Sequence, residues 1–123
     1  MTVKECYDKL EADYDNILYR IRKDELVKHF ALKFLEDKSL AKIEEGLEKK
    51  NAELAFRGAH TLKGLSANLG FTRLYEISSK LTEELRPLGL DSPNLPNLFN
   101  AVKEEYIRTV DILKELSDSI WFK

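Results

Sequence analysis

A single cysteine, Cys6, leaves no internal disulfide to form. It falls within an apolar helical stripe, which predicts a packed thiol rather than a reactive one. Proline is scarce: Pro87, Pro93 and Pro96 are the only three, all between residues 87 and 96. With five glycines besides, most of the chain is free to enter regular structure. No apolar run approaches the ~18 residues that span a bilayer. The chain is charged from its fourth residue, so no signal core is read at the start. The expected location is cytoplasmic, with no membrane association of its own. Neither sign of charge dominates, with 20 basic against 22 acidic side chains and a net charge of −2. No basic stripe is present, and nucleic acid is not expected as a partner.

What the chain does contain is helical periodicity. Hydrophobic residues make up 43% and charged residues 34% of 123 positions, the mix of one folded domain spanning 1–123. Val3, Cys6 or Tyr7, and Leu10 recur at steps of three and four, and Tyr14, Ile17, Leu18 and Ile21 continue after a break near Asp13. Leu26, Val27, Phe30, Phe34 and Leu35 mark the next helix, with Asp24 as its expected N-cap. A short helix is expected from Ser39, with Gly46 and Lys49–Lys50–Asn51 weakening and ending it. Asn51 is then placed to cap a helix to Leu69, whose stripe is Ala55, Ala59, Leu62, Ser66 and Leu69. Gly70 suits a left-handed C-terminal residue, and Thr72 a new N-cap. Leu74, Ile77, Leu81 and Leu85 carry a helix to about Arg86, where Pro87 should stop it. Residues 87–96 read as a loop, followed by a helix to Ile120 with Phe99, Val102, Tyr106, Val110, Leu113 and Leu116 in its stripe. The expected fold class is all-α: an antiparallel four-helix bundle with one or two additional N-terminal helices. Its main members lie near 25–36, 52–69, 72–86 and 97–120, giving a core bundle over about 25–120 and an N-terminal helical extension over 1–23.

The helix over 52–69 has a second face of unusual composition. Phe56, His60, Lys63, Gly64 and Ala67 share it. Glycine in a helix interior costs about 1 kcal/mol relative to alanine. A helical side chain leans toward the N-terminus, so one at position 64 would cover the space beside His60. Glycine there leaves the imidazole open to something large, and Lys63 lies within reach of it. An open imidazole beside an ammonium group suits a phosphoryl acceptor, because phosphorylation adds roughly two negative charges.

The stretch His60-Thr61-Leu62-Lys63-Gly64-Leu65-Ser66-Ala67-Asn68-Leu69-Gly70 resembles the signature of histidine-containing phosphotransfer (HPt) domains of two-component phosphorelays. That signature reads His, two residues, Lys-Gly, one residue, a small residue, two residues, an aliphatic residue and Gly. All six specified positions match. Ala55–Ala59 and Leu74–Ile77 also look like the family, and the helical pattern extends the resemblance from about Glu25 to Leu116. The resemblance implies a phosphorelay intermediate without a kinase or nucleotide site of its own. A histidine would accept a phosphoryl group from a receiver-domain aspartate and pass it to another receiver. His60 would be the acceptor through Nε2, Lys63 would assist electrostatically, and Gly64 would give access. Ser66 would be the small core-side residue, and Leu69 and Gly70 would pack and end the helix. Phe56 and Ala67 are added as receiver-docking contacts from their place on the helix face. Partners would be response-regulator receiver domains or a hybrid sensor histidine kinase. Mg²⁺ is expected in the receiver, no cofactor on this chain, and a monomer in solution.

Without Lys63 and Gly64, a helical histidine is most simply structural; His29, beside Phe30, is read that way. Glu44-Glu45 and Glu83-Glu84 read as solvated faces. Metal chemistry of the bundle type is not expected, since neither histidine has a glutamate three residues before it. The competing functional reading is a non-catalytic receiver-binding adaptor or phosphate sink using the same surface. An enzyme with a cofactor in the bundle core is the weaker third.

Overall fold

In the computed structural model, which describes residues 1–118, seven α-helices and two short 3₁₀ segments account for the regular structure. They are α1 (Val3–Leu10), α2 (Tyr14–Ile21), α3 (Asp24–Lys33), α4 (Ser39–Glu48), α5 (Ala52–Leu69), α6 (Thr72–Leu88) and α7 (Leu95–Asp118), with 3₁₀ turns at Phe34–Glu36 and Gly89–Asp91. No strand occurs among the described residues. The all-α helical bundle is therefore as expected; Ile120, expected at the end of the last stripe, lies outside the described residues.

The most extensive packing is of α4 on α5, α5 on α6 and α6 on α7. The short helix from Ser39 thus belongs to the heart of the bundle, and two glycines explain how. A Cβ at Gly46 would overlap the backbone of Ala55, and one at Gly58 would fall 2.8 Å from Ile43 Cγ1. Gly46 therefore does more than weaken α4: together with Gly58 it lets the two helices approach more closely than side chains would allow. The pairing of 46 with 55 and 43 with 58 also shows that they run antiparallel. The α5–α6 pair runs antiparallel as well, with Phe56 near Arg86 and Lys63 near Glu83.

The core stripe of α5 is buried at every expected position: Ala55, Ala59, Leu62, Ser66 and Leu69. Leu74, Leu81 and Leu85 of α6 and Val102, Tyr106, Leu113 and Leu116 of α7 close on it. Burying each large side chain contributes about 1.5–3 kcal/mol. Ser78 and Thr82 of α6 are buried too, and their hydroxyls donate to the carbonyls of Leu74 and Ser78 one turn back. Cys6 packs fully inside, and burial pushes its thiol up to about 11, which keeps it unreactive near neutrality. Leu26 and Phe30, expected in the core stripe of α3, are exposed instead, because Val27, Ala31 and Phe34 take the inward face.

The helix ends depart from expectation in instructive ways. Asp24 is not an N-cap; α3 starts at that residue, and its carboxylate accepts the Tyr14 hydroxyl. Thr72 likewise begins α6 rather than capping it. Asp37 serves α4, its carboxylate accepting both the amide and the hydroxyl of Ser39 and also the Tyr106 hydroxyl. Pro87 does not end α6, which runs on to Leu88; the break comes at Gly89, where φ is +56°. At the other end, α1 opens with a reciprocal capping box between Thr2 and Glu5.

The last turn of α5 is finished by the N-terminal helices. Gly70 takes φ +75°, the Phe71 amide donates to Ser66 O, and the Gly70 amide to Ala67 O. The Tyr7 hydroxyl of α1 donates to Leu69 O at 2.7 Å, and Arg20 of α2 donates to Asn68 O at 3.0 Å. The Asp13 amide, between them, donates to Gly70 O at 2.9 Å. A cation at this end also opposes the partial negative charge of the helix terminus.

Candidate functional site

Asn51 caps α5 as expected, its side-chain oxygen accepting from the Leu54 amide at 3.1 Å. The helix then runs without interruption to Leu69. Its buried stripe fixes its rotation, and that rotation turns the other face outward. On that face His60, Gly64 and Ala67 are exposed, while Phe56 and Lys63 are half-buried. All five residues singled out for this face are therefore brought together.

Space around the histidine is open on the side where access was anticipated. A Cβ built on Gly64 would meet no heavy atom within 4 Å. Gly64 is thus not there to admit a neighbouring helix of this chain. The glycine removes bulk from a position that nothing in the bundle occupies, one turn beyond the imidazole.

On the other side, the imidazole is braced. Its ring stacks on that of Phe56, with centroids 5.8 Å apart and planes 10° from parallel. The guanidinium of Arg86, from α6, lies 5.2 Å from the Phe56 ring centroid. Phe56 is partly buried against the core and so offers His60 a fixed platform. Lys63 extends toward α6, where its ammonium lies 3.6 Å from a Glu83 carboxylate oxygen. The same oxygen lies 3.7 Å from Arg86. Glu83 is exposed, as expected of a solvated face, and also stands in ion-pair range of both cations; this role of Glu83, and Arg86, are what sequence reasoning missed at this site. Their i, i+3 spacing on α6 was visible, but nothing in the sequence gave the register that puts them opposite Phe56 and Lys63.

Ser66 lies on the core side, fully buried, with a hydroxyl oxygen that has no hydrogen-bond partner. A largely apolar groove of about 600 Å³ opens between α2, α3 and α5, with Ile21, Phe30, Phe34, Leu65 and Leu69 in its lining and Arg20, Lys33, Glu36, Asp37 and Asn68 among them. From α5, Leu65, Asn68 and Leu69 form its wall. The exposed Leu26 and Phe30 extend the apolar surface along α3. His29 is exposed on α3, its ring edge-on to Phe30.

Among the described residues, no group of three or more His, Cys, Asp or Glu side chains could hold a metal ion. No helix among them is long and apolar enough to cross a membrane. What the arrangement offers chemically is an exposed imidazole stacked on Phe56, an open approach at Gly64 and a lysine three residues on along the same helix.

Comparison with known proteins gives one result. The family model described as Hpt domain matches residues 32–116, from the end of α3 to the last turns of α7. Neither the curated proteins nor the solved structures compared with the chain gave a match.

Proposed function

The chain belongs to the Hpt domain family, with a phosphotransfer role in two-component signalling, and on that premise we propose that it is a phosphorelay intermediate carrying the phosphoryl group on His60. The observation that supports this most directly is the exposed His60 with open space at Gly64. A receiver domain presents its aspartyl phosphate in a deep acidic pocket, so an acceptor must stand clear of its own fold to enter.

In the proposed step, the Nε2 lone pair of neutral His60 attacks phosphorus. The N–P bond forms as the acyl-phosphate P–O bond breaks, and the bonding electrons leave with the receiver's carboxylate. The Nδ1 proton stays on the ring through the attack, so the first product is a phosphoimidazolium, which then releases that proton to water. Passing the group to a second receiver reverses these events. Phe56 restrains the ring so that less orientational freedom is lost at the moment of attack. Lys63 balances the charge that arrives with the phosphoryl group. The receiver supplies Mg²⁺ and the acidic pocket, and this chain supplies neither nucleotide binding nor kinase activity. Ala67 and the apolar groove beside Leu65 form the docking surface, with Phe56 at its edge. The partners are receiver domains, free-standing or within a hybrid sensor kinase, and the chain acts as a monomer.

The test is incubation with a ³²P-labelled receiver and Mg²⁺. Label should appear on this chain, acid-labile and base-stable, and disappear in His60→Gln. Label that persists in that variant refutes the assignment. Stable complex formation with no label replaces the relay reading with the adaptor reading.

A further inference from the structure

We propose that Glu83 is a positioning residue that, with Arg86 on its other side, occupies Lys63 while the His60 imidazole is bare and yields it when the phosphoryl group arrives. This rests on the reading of His60 as phosphoacceptor.

The contacts of Glu83 are longer than those of several surface pairs, as are Lys103–Glu44 at 3.3 Å and Arg73–Glu105 at 3.6 Å. Lys9–Glu115, Lys49–Glu45 and Arg57–Glu53 close to 2.6–2.7 Å, the range of a direct charge-assisted hydrogen bond. Glu83 Oε1 instead sits 3.6 Å from Lys63 Nζ and 3.7 Å from Arg86 Nη2. One oxygen is shared between two cations and is tight with neither. The Glu83 side chain is 56% exposed, so water competes for it as well. Such a contact restrains two cations without fixing them.

Lys63 is the cation placed to reach a group on His60, and Arg86 is the second cation that holds Glu83. Lys63 lies three residues on, on the same face of α5. Arg86 lies over Phe56, the ring on which the imidazole stacks. A phosphoryl group on Nε2 carries roughly two negative charges against the single charge of Glu83. It therefore competes with Glu83 for Lys63, while Arg86 shares the same Glu83 oxygen. Transfer itself is unchanged in its chemistry: the N–P bond forms as the acyl-phosphate P–O bond breaks. Glu83 alters only how firmly the product is held. By competing for Lys63, it keeps the phosphoimidazole weakly bound and so able to pass its group on. The residue thereby sets the balance between carrying and releasing.

The experiment measures how ³²P label divides at equilibrium between a receiver domain and the full chain. Glu83→Gln should raise the share on His60, expressed as an equilibrium ratio, by about 3- to 5-fold, the size of an exposed ion pair. The increase should shrink as salt is raised. It should vanish when Glu83→Gln is made in a Lys63→Gln, Arg86→Gln background, because Glu83 acts only through those cations. An unchanged or lowered ratio overturns the proposal, as does an equal increase in the background without the cations. If wild type takes no label at all, the phosphoacceptor reading falls and this inference with it. If wild type labels normally and only the Glu83 result fails, that reading stands.

Discussion

Two glycines on one helix, six positions apart, do opposite things. Gly58 faces inward, and the space for its missing side chain is filled by Ile43 and the Ser39 carbonyl of α4. Gly64 faces outward, and the space for its missing side chain is empty. The first glycine serves the fold, since it allows two helices to approach closely. The second works against local stability, since an interior helical glycine costs about 1 kcal/mol with no packing gained in return. A cost of that kind, at a position facing open space beside a histidine, is best understood as room kept for a partner.

This contrast can be broken or sharpened by substitution. The largest effect is expected from Gly64→Leu. A leucine would lean over His60, and transfer from a phosphorylated receiver should slow by about 100-fold, while circular dichroism shows the helix intact. Transfer at the wild-type rate would remove the access argument. Gly58→Ala should do the reverse: its Cβ would stand 2.9 Å from the Ile43 amide nitrogen, so backbone must move. A loss of about 1–3 kcal/mol is expected in denaturant unfolding. Unchanged stability would mean that α4 and α5 separate freely. Smaller again is Gly64→Ala, which should raise stability by about 0.5–1 kcal/mol and slow transfer far less than leucine does. A destabilised Gly64→Ala would place an unseen constraint at that position. The mildest test leaves the glycines for the core face of the same helix. Ser66→Ala removes a hydroxyl with no partner and should stabilise the protein by up to about 1 kcal/mol; a marked loss on thermal melting would point to a hydrogen bond at this oxygen.

The helical period was enough to read the inward face of α5, because a helix that buries one stripe has its rotation fixed. For the same reason the outward set from Phe56 to Ala67 was legible. Contacts between helices were not. A mid-helix glycine can mark close approach or open access, and only the distance to another helix decides which, so Gly46 was read as a weak point rather than as a packing surface. The Glu83–Lys63–Arg86 cluster needs the α5–α6 register, which no periodicity within one helix contains. Capping residues misled where a side chain had a better use. Asp24 has the right chemistry for an N-cap, but the Tyr14 hydroxyl engages its carboxylate one position into the helix. Leu26 and Phe30 were assigned inward because apolar residues filled too wide an arc of α3 for one core to take.

The hydrogen bonds from Tyr7, Asp13 and Arg20 to the end of α5 carry a consequence for where the folding unit begins. A chain trimmed to start at Leu32 would keep all that the family model matches. It would also strip the carbonyls of Leu69 and Gly70 and the Asn68 carbonyl of those donors, and uncover Phe71 and Leu69 where α1 and α2 had lain. Fraying would then start two turns beyond the histidine and spread toward it. The first two helices thus act as a splint on the helix that carries His60, and a fragment meant to keep that end closed should reach back to Thr2, whose capping box starts the first of them.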